Sequence, residues 1–81
     1  MVEIEHKIAN ENGGHVRPVG ALVHEASKFK SEIVLNGINA RKLMAIMSLG
    51  LKKNQEVKII IDGPDEEKAR MAIEKILVNH F

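Results

Sequence analysis

The chain has 81 residues, a formal net charge of +1 from 12 basic and 11 acidic side chains, and no cysteine. A chain of this length has room for one hydrophobic core, so we expect residues 1–81 to form a single domain. The balanced charge offers no long-range attraction to a polyanion, and two phenylalanines are too few for a base-stacking surface, so we expect no nucleic acid partner.

Several absent features narrow the class of protein further. Without cysteine the chain can form neither disulfides nor thiolate metal sites. The charged first residues are unlike a signal peptide, and no apolar run is long enough to span a bilayer. We therefore expect a cytoplasmic protein without direct membrane insertion.

The first predicted element is a strand over residues 2–8. Val2, Ile4 and Ile8 alternate with charged residues, which is typical of a half-buried strand. His6 occupies the remaining position of the apolar face, and we interpret it as a strand-edge histidine rather than as a site.

The segment after this strand, residues 12–18 (NGGHVRP), contains the candidate site. His15 directly precedes a predicted helix, where unpaired N–H groups and the positive end of the helix dipole stabilise an anion. Arg17 adds a planar donor for phosphate oxygens, and Pro18 suits the first turn because no intrahelical donor is lost there. Gly13 and Gly14 allow a sharp turn that exposes the ring. His15 is thus a candidate phosphate carrier, although an ordinary solvated histidine would give the same signal by itself.

The predicted first helix runs to about Lys28. Its apolar stripe comprises Val16, Val19, Leu22, Val23, Ala26 and Phe29. Gly20 lies inside this helix, where glycine costs about 1 kcal/mol relative to alanine.

A hairpin and a short helix follow. Residues 32–35 form a predicted strand, Asn36-Gly37 is a strong hairpin signal, and residues 38–40 form a short return strand. About two helical turns containing Leu43, Met44, Ile46 and Met47 then end at Gly50. Asn39 is a better cap than Lys42, so we expect this helix to begin one turn before position 43. The two methionines share a face, and the residues alone leave open whether they fill the core or form a docking surface.

The last strand and helix are the clearest elements. Residues 56–62 form a strand with Val57, Ile59 and Ile61 facing inward. Three acidic residues, Asp65, Glu66 and Glu67, then mark a solvated helix start rather than a metal site. The apolar stripe of the final helix contains Ala69, Ala72, Ile73, Ile76 and Leu77. The element order predicts an α+β fold, with a four-stranded antiparallel sheet and three helices on one face.

Other chemistry is disfavoured by spacing. His15 and His24 would lie about 13 Å apart along a helix, too far to share a metal. The chain has neither a paired-carboxylate arrangement nor a serine nucleophile elbow. We expect no metal and no cofactor.

Four blocks of the sequence resemble the family of histidine-containing phosphocarrier proteins (HPr) of the bacterial phosphoenolpyruvate-dependent sugar phosphotransferase system. They are residues 14–18 (GHVRP), 25–29 (EASKF), 43–50 (LMAIMSLG) and 57–66 (VKIIIDGPDE). The resemblance implies an open-faced β-sandwich of βαββαβα order. It also implies a phosphotransfer intermediate rather than a stand-alone enzyme. We expect the chain to be a monomer.

The resemblance further implies that enzyme I phosphorylates His15 on Nδ1 with a group derived from phosphoenolpyruvate, and that EIIA domains of sugar permeases receive it. Arg17 would stabilise the phosphoryl charge. The implied docking residues are Gly20, His24, Leu43, Met44 and Met47.

The sequence departs from the family pattern at several positions. Gly14 replaces a large aliphatic residue, valines at 16 and 19 replace alanines, and the loop around Asn36 is short. Lys42 occupies the position of the regulatory serine, so we expect no serine-kinase input. Two alternatives remain open: a regulatory protein that docks on transcription factors or enzymes, and a nitrogen-system paralogue.

Overall fold

Four strands and three helices alternate along the chain in the predicted βαββαβα order. The computed structural model describes residues 1–11 and 15–81, and the glycine pair predicted to expose His15 lies outside the described residues. The elements are β1 (Val2–Lys7), α1 (Val16–Ala26), β2 (Glu32–Leu35), β3 (Ile38–Asn39), α2 (Leu43–Met47), β4 (Glu56–Asp62) and α3 (Glu66–His80).

The strands form one antiparallel sheet in the order β1-β4-β2-β3. In β4 the residues Val57, Ile59 and Ile61 are buried, while the side chains between them are exposed or half-buried, so alternation places the apolar side chains on one face. Ile59 pairs with Ile4 of β1. The helices contribute their buried residues to this same core, which leaves the other face of the sheet open.

The predicted hairpin between β2 and β3 is confirmed. Leu35 pairs with Ile38 across a two-residue loop. The loop residues Asn36 (φ 48°) and Gly37 (φ 82°) both have positive φ, which a type I′ turn requires and which glycine adopts without a steric penalty. β3 is only two residues long, so the return strand ends one residue earlier than predicted.

Helix α1 buries most of the predicted stripe, with one exception. Val19, Leu22 and Ala26 are buried, but Val16 is 59% exposed, so its place in the stripe was predicted wrongly. Val16 is the first helical residue and lies beyond the edge of the core. The helix also ends at Ala26 rather than near Lys28, because the amides of Lys28 and Phe29 donate to carbonyls three residues back instead of four.

The predicted early start of α2 was wrong. The helix begins at Leu43, with Lys42 as a cap residue whose side chain makes no capping hydrogen bond. Asn39 cannot cap it, because it pairs with Val34 in the sheet and its Oδ1 accepts the Arg41 amide at 2.9 Å. The side-chain oxygen of Asn39 therefore stabilises the turn before α2 instead of the helix.

Arg41 ties the end of α1 to the segment that leads into α2. Its guanidinium donates to the carbonyl of Ala26 at 3.3 Å, to that of Ser31 at 3.1 Å, and to that of Phe29. The terminal carbonyls of a helix lack intrahelical donors, and Arg41 supplies one. This contact fixes the start of α2 beside α1.

Asp65 anchors the start of α3 to the start of β2. Its carboxylate accepts the amides of Lys30 and Ser31, each at 2.9 Å, and the hydroxyl of the fully buried Ser31. The Ser31 hydroxyl, followed by the Lys30 amide, lowers the pKa of Asp65 to about 2. The sequence predicts that Asp65 and Glu67 both belong to a solvated helix start. This prediction was wrong for Asp65, which is half-buried and hydrogen-bonded, whereas Glu67 is exposed.

Candidate functional site

His15 is the N-cap residue of α1, as predicted. It has extended backbone angles (φ −81°, ψ 165°), and its carbonyl accepts the amide of Val19 at 3.2 Å. The imidazole is exposed and makes no capping hydrogen bond to its own helix. The ring is therefore available to a partner while its backbone is held by the first helical turn.

The surroundings of His15 favour an anion. The first turn of α1, which lies wholly within the described residues, contains no acidic side chain. Its amides lack intrahelical acceptors, and the 11-residue helix adds the positive end of its dipole. Arg17 is exposed, and within residues 1–11 and 15–81 no carboxylate forms an ion pair with its guanidinium.

His15 and Arg17 line one cleft. It has a volume of about 320 Å³, and the lining residues are Asn10, His15, Arg17, Pro18 and His80. They come from the segment after β1, the start of α1 and the end of α3. Asn10 and His80 were not predicted from the sequence, because only the packing of the last turn of α3 against β1 and the segment after it brings them to His15.

Main-chain hydrogen bonds hold the end of α3 at this cleft. The amides of Ala9 and Asn10 donate to the main-chain oxygen of Phe81, the latter at 3.2 Å. The side-chain amide of Asn10 donates to the carbonyl of His80 at 3.0 Å. The buried side chains of Leu77 and Phe81 anchor the last turn in the core, so the position of His80 is well defined.

The predicted docking residues lie on α1 and α2, which pack against each other. We call this set, Gly20, His24, Leu43, Met44 and Met47, the docking surface. His24 is exposed, and a Cβ built on the half-buried Gly20 would meet nothing within 4 Å. Met44 is 73% exposed, whereas Leu43 and Met47 are half-buried against the core. Only one of the two methionines thus offers most of its surface to a partner.

A second, larger groove of about 610 Å³ lies between α1 and α3 and is lined by neither His15 nor Arg17. In the described part of the chain, no three histidine or carboxylate side chains are grouped to hold a metal ion. No helix in the same residues has the length and apolar character to cross a membrane.

The fold and the site define a small α+β domain that presents an unshielded histidine at a helix N-terminus, an arrangement suited to carrying a phosphoryl group. The family model described as "PTS HPr component phosphorylation site" matches residues 2–79. The phosphocarrier protein HPr of Mycoplasma pneumoniae is 38% identical over 99% of this chain and 97% of its own length.

Solved structures agree with this assignment. A crystal structure of HPr-C-His from Thermoanaerobacter tengcongensis has a TM-score of 0.91 and 38% identity, covering 100% of this chain and 96% of that one. An HPr dimer from the same organism has a TM-score of 0.75 and 37% identity, covering 98% and 95%. The chain therefore belongs to the HPr family of phosphocarrier proteins, which act in the phosphotransferase system.

Proposed function

We propose that this protein accepts a phosphoryl group on Nδ1 of His15 from enzyme I and passes it to EIIA domains of sugar permeases. The observation that carries the proposal is the exposed, uncapped imidazole of His15 in one cleft with Arg17. Membership of the HPr family supports a role in the phosphotransferase system. The family resemblance supplies the two partners.

The transfer requires a nucleophilic ring nitrogen and an in-line donor. In the neutral ring with its proton on Nε2, the Nδ1 lone pair forms a bond to phosphorus while the bond from phosphorus to the donor breaks. The donor leaves with that electron pair, and the phosphorylated ring can release the Nε2 proton to solvent. Transfer to the next protein repeats the exchange with His15 as the leaving group.

Arg17 and the start of α1 stabilise the charge in this step. Phosphoryl transfer needs positioning and compensation of the oxygen charges more than covalent help from the protein. The guanidinium can hold two phosphoryl oxygens, and the first-turn amides of α1 can hold another. Because the cleft is open, the donor and acceptor proteins can each supply the remaining groups.

The docking surface next to His15 provides the contact with both proteins. An exposed apolar side chain, Met44, and a position without a side chain, Gly20, suit an interface that must accept more than one partner. We propose that the carrier acts in the cytoplasm, where it would meet these partners. We propose that the carrier acts as a monomer, although a related HPr has been crystallised as a dimer.

The test is incubation with a bacterial enzyme I and phosphoenolpyruvate, followed by intact-mass measurement. We expect one acid-labile phosphate on the parent chain and none on a folded His15→Ala variant. Arg17→Ala should take up the phosphate much more slowly with little change in stability. A parent chain that binds enzyme I without gaining phosphate would favour the regulatory alternative, and phosphate on His24 or His6 would refute the assignment of His15.

A further inference from the structure

Two helix ends of opposite polarity meet at the His15 cleft. α1 presents its N-terminus, which carries partial positive charge, and the 15-residue α3 presents its C-terminus, which carries partial negative charge. A phosphoryl group on His15 would be attracted by the first and repelled by the second. A cation between the phosphoryl group and the end of α3 would remove this conflict.

His80 occupies that place. It is the last residue of α3, it is half-buried, and it lines the cleft together with His15 and Arg17. Leu77 and Phe81, the buried neighbours in the last turn, fix the direction in which it projects. The side-chain amide of Asn10 donates to the carbonyl of His80 and so connects the helix end to the segment after β1, which also lines the cleft.

We propose that His80 is a second phosphate-contacting residue, whose imidazolium separates the phosphoryl group on His15 from the negative end of α3 and donates an N–H to it. The inference rests on the proposed function of His15. Arg17 and His80 then hold the phosphoryl group from two different helices. A cationic side chain at a helix C-terminus is itself favourable, so the charged ring suits both neighbours.

The groups facing His80 are few. Arg17 and His15 face it from the start of α1, and the neutral Asn10 faces it from the segment after β1. On α3 it adjoins the main-chain oxygen of Phe81, which accepts two amides. No carboxylate side chain of the described residues lines the cleft, and the nearby Glu11 pairs with Lys53 at 3.8 Å.

The experiment compares neutral and charged replacements of His80 in the full chain. The rate of phosphoryl transfer from phosphorylated enzyme I is measured at about pH 6 and pH 8, which lie on either side of the pKa of free histidine. We expect His80→Gln to lower the rate roughly tenfold at the lower pH and much less at the higher pH. His80→Arg should retain the parent rate at pH 6 and exceed it at pH 8. Asn79→Ala, an exposed neighbour on α3 outside the cleft, should match the parent at both.

Each outcome decides the proposal. His80→Gln at the parent rate at both pH values would overturn it. An equal loss at both pH values without rescue by His80→Arg would also overturn it, because that pattern indicates only a structural role. His80→Asn serves as a second neutral variant if thermal melting shows that His80→Gln is unfolded. A parent chain that takes no phosphate would refute the proposed function itself, and the role of His80 with it.

Discussion

Met44→Glu is the sharpest test of the docking surface, because the structure separates exposure from packing at this position. Met44 is 73% exposed, so the substitution should change the free energy of unfolding by no more than about 0.5 kcal/mol. At an apolar interface the same carboxylate would be buried without a partner, which costs about 1–3 kcal/mol. The dissociation constant for enzyme I should therefore rise between about fivefold and 150-fold.

The matched control is Met71→Glu. Met71 is 72% exposed, almost the same as Met44, but lies on α3 in the groove away from His15. Titration calorimetry should show weaker enzyme I binding for Met44→Glu and parental binding for Met71→Glu. Met47→Glu is a poorer probe, because its half-buried side chain packs on the core and the charge would also destabilise the fold. Equal affinity for the two exposed variants would refute the docking surface.

Four further predictions concern stability and regulation. The pKa of Asp65 is lowered from 3.8 to about 2, so its stabilising effect is present above about pH 4 and is lost as pH falls towards 2. The urea midpoint of Asp65→Asn should therefore be lower than that of the parent at neutral pH, and it should change less than that of the parent between about pH 4 and 2. Gly63→Ala should destabilise by about 1–3 kcal/mol, because the new Cβ would lie 2.5 Å from the Cα of Ser31, and thermal melting checks this. His6→Leu should raise the free energy of unfolding by about 1 kcal/mol, since the buried Nε2 has no hydrogen-bond partner among the described residues. Urea denaturation checks this as a higher midpoint. Treatment with an HPr serine kinase and ATP should leave the mass unchanged, because Ser31 is fully buried and the Ser48 hydroxyl donates to the carbonyl of Met44 in α2. A stoichiometric phosphate on either serine would show that the regulatory input has moved.

Local patterns predicted most of the fold because the signals were periodic. The alternation in residues 56–62 and the Asn36-Gly37 turn placed β4 and the hairpin correctly. The errors fell at ends of elements, where a long-range contact decides the outcome. The residue type of Asn39 predicts a helix cap, but Asn39 pairs with Val34 in the sheet instead.

Some residues of the candidate site could be predicted from the local sequence and others could not. His15 and Arg17 could be predicted because their arrangement depends only on the start of one helix. Asn10 and His80 are 70 positions apart and meet through the packing of the last turn of α3 against β1, which no local pattern records. The sequence also could not predict that the buried Nε2 of His6 has no hydrogen-bond partner among the described residues. A period-two pattern shows which face of the sheet a residue occupies but not which groups surround it.

The core and the site can vary independently because they use different residues. The buried set comes from the inward faces of the sheet and helices, whereas His15 and Arg17 are both exposed. A substitution of His15 should therefore abolish phosphate uptake, and one of Arg17 should slow it, without unfolding the domain. His80 is the point where the two requirements meet: its helix turn is fixed by buried Leu77 and Phe81, while its ring lines the cleft. Changes that loosen this last turn should affect phosphoryl transfer even when every residue of the cleft is unchanged.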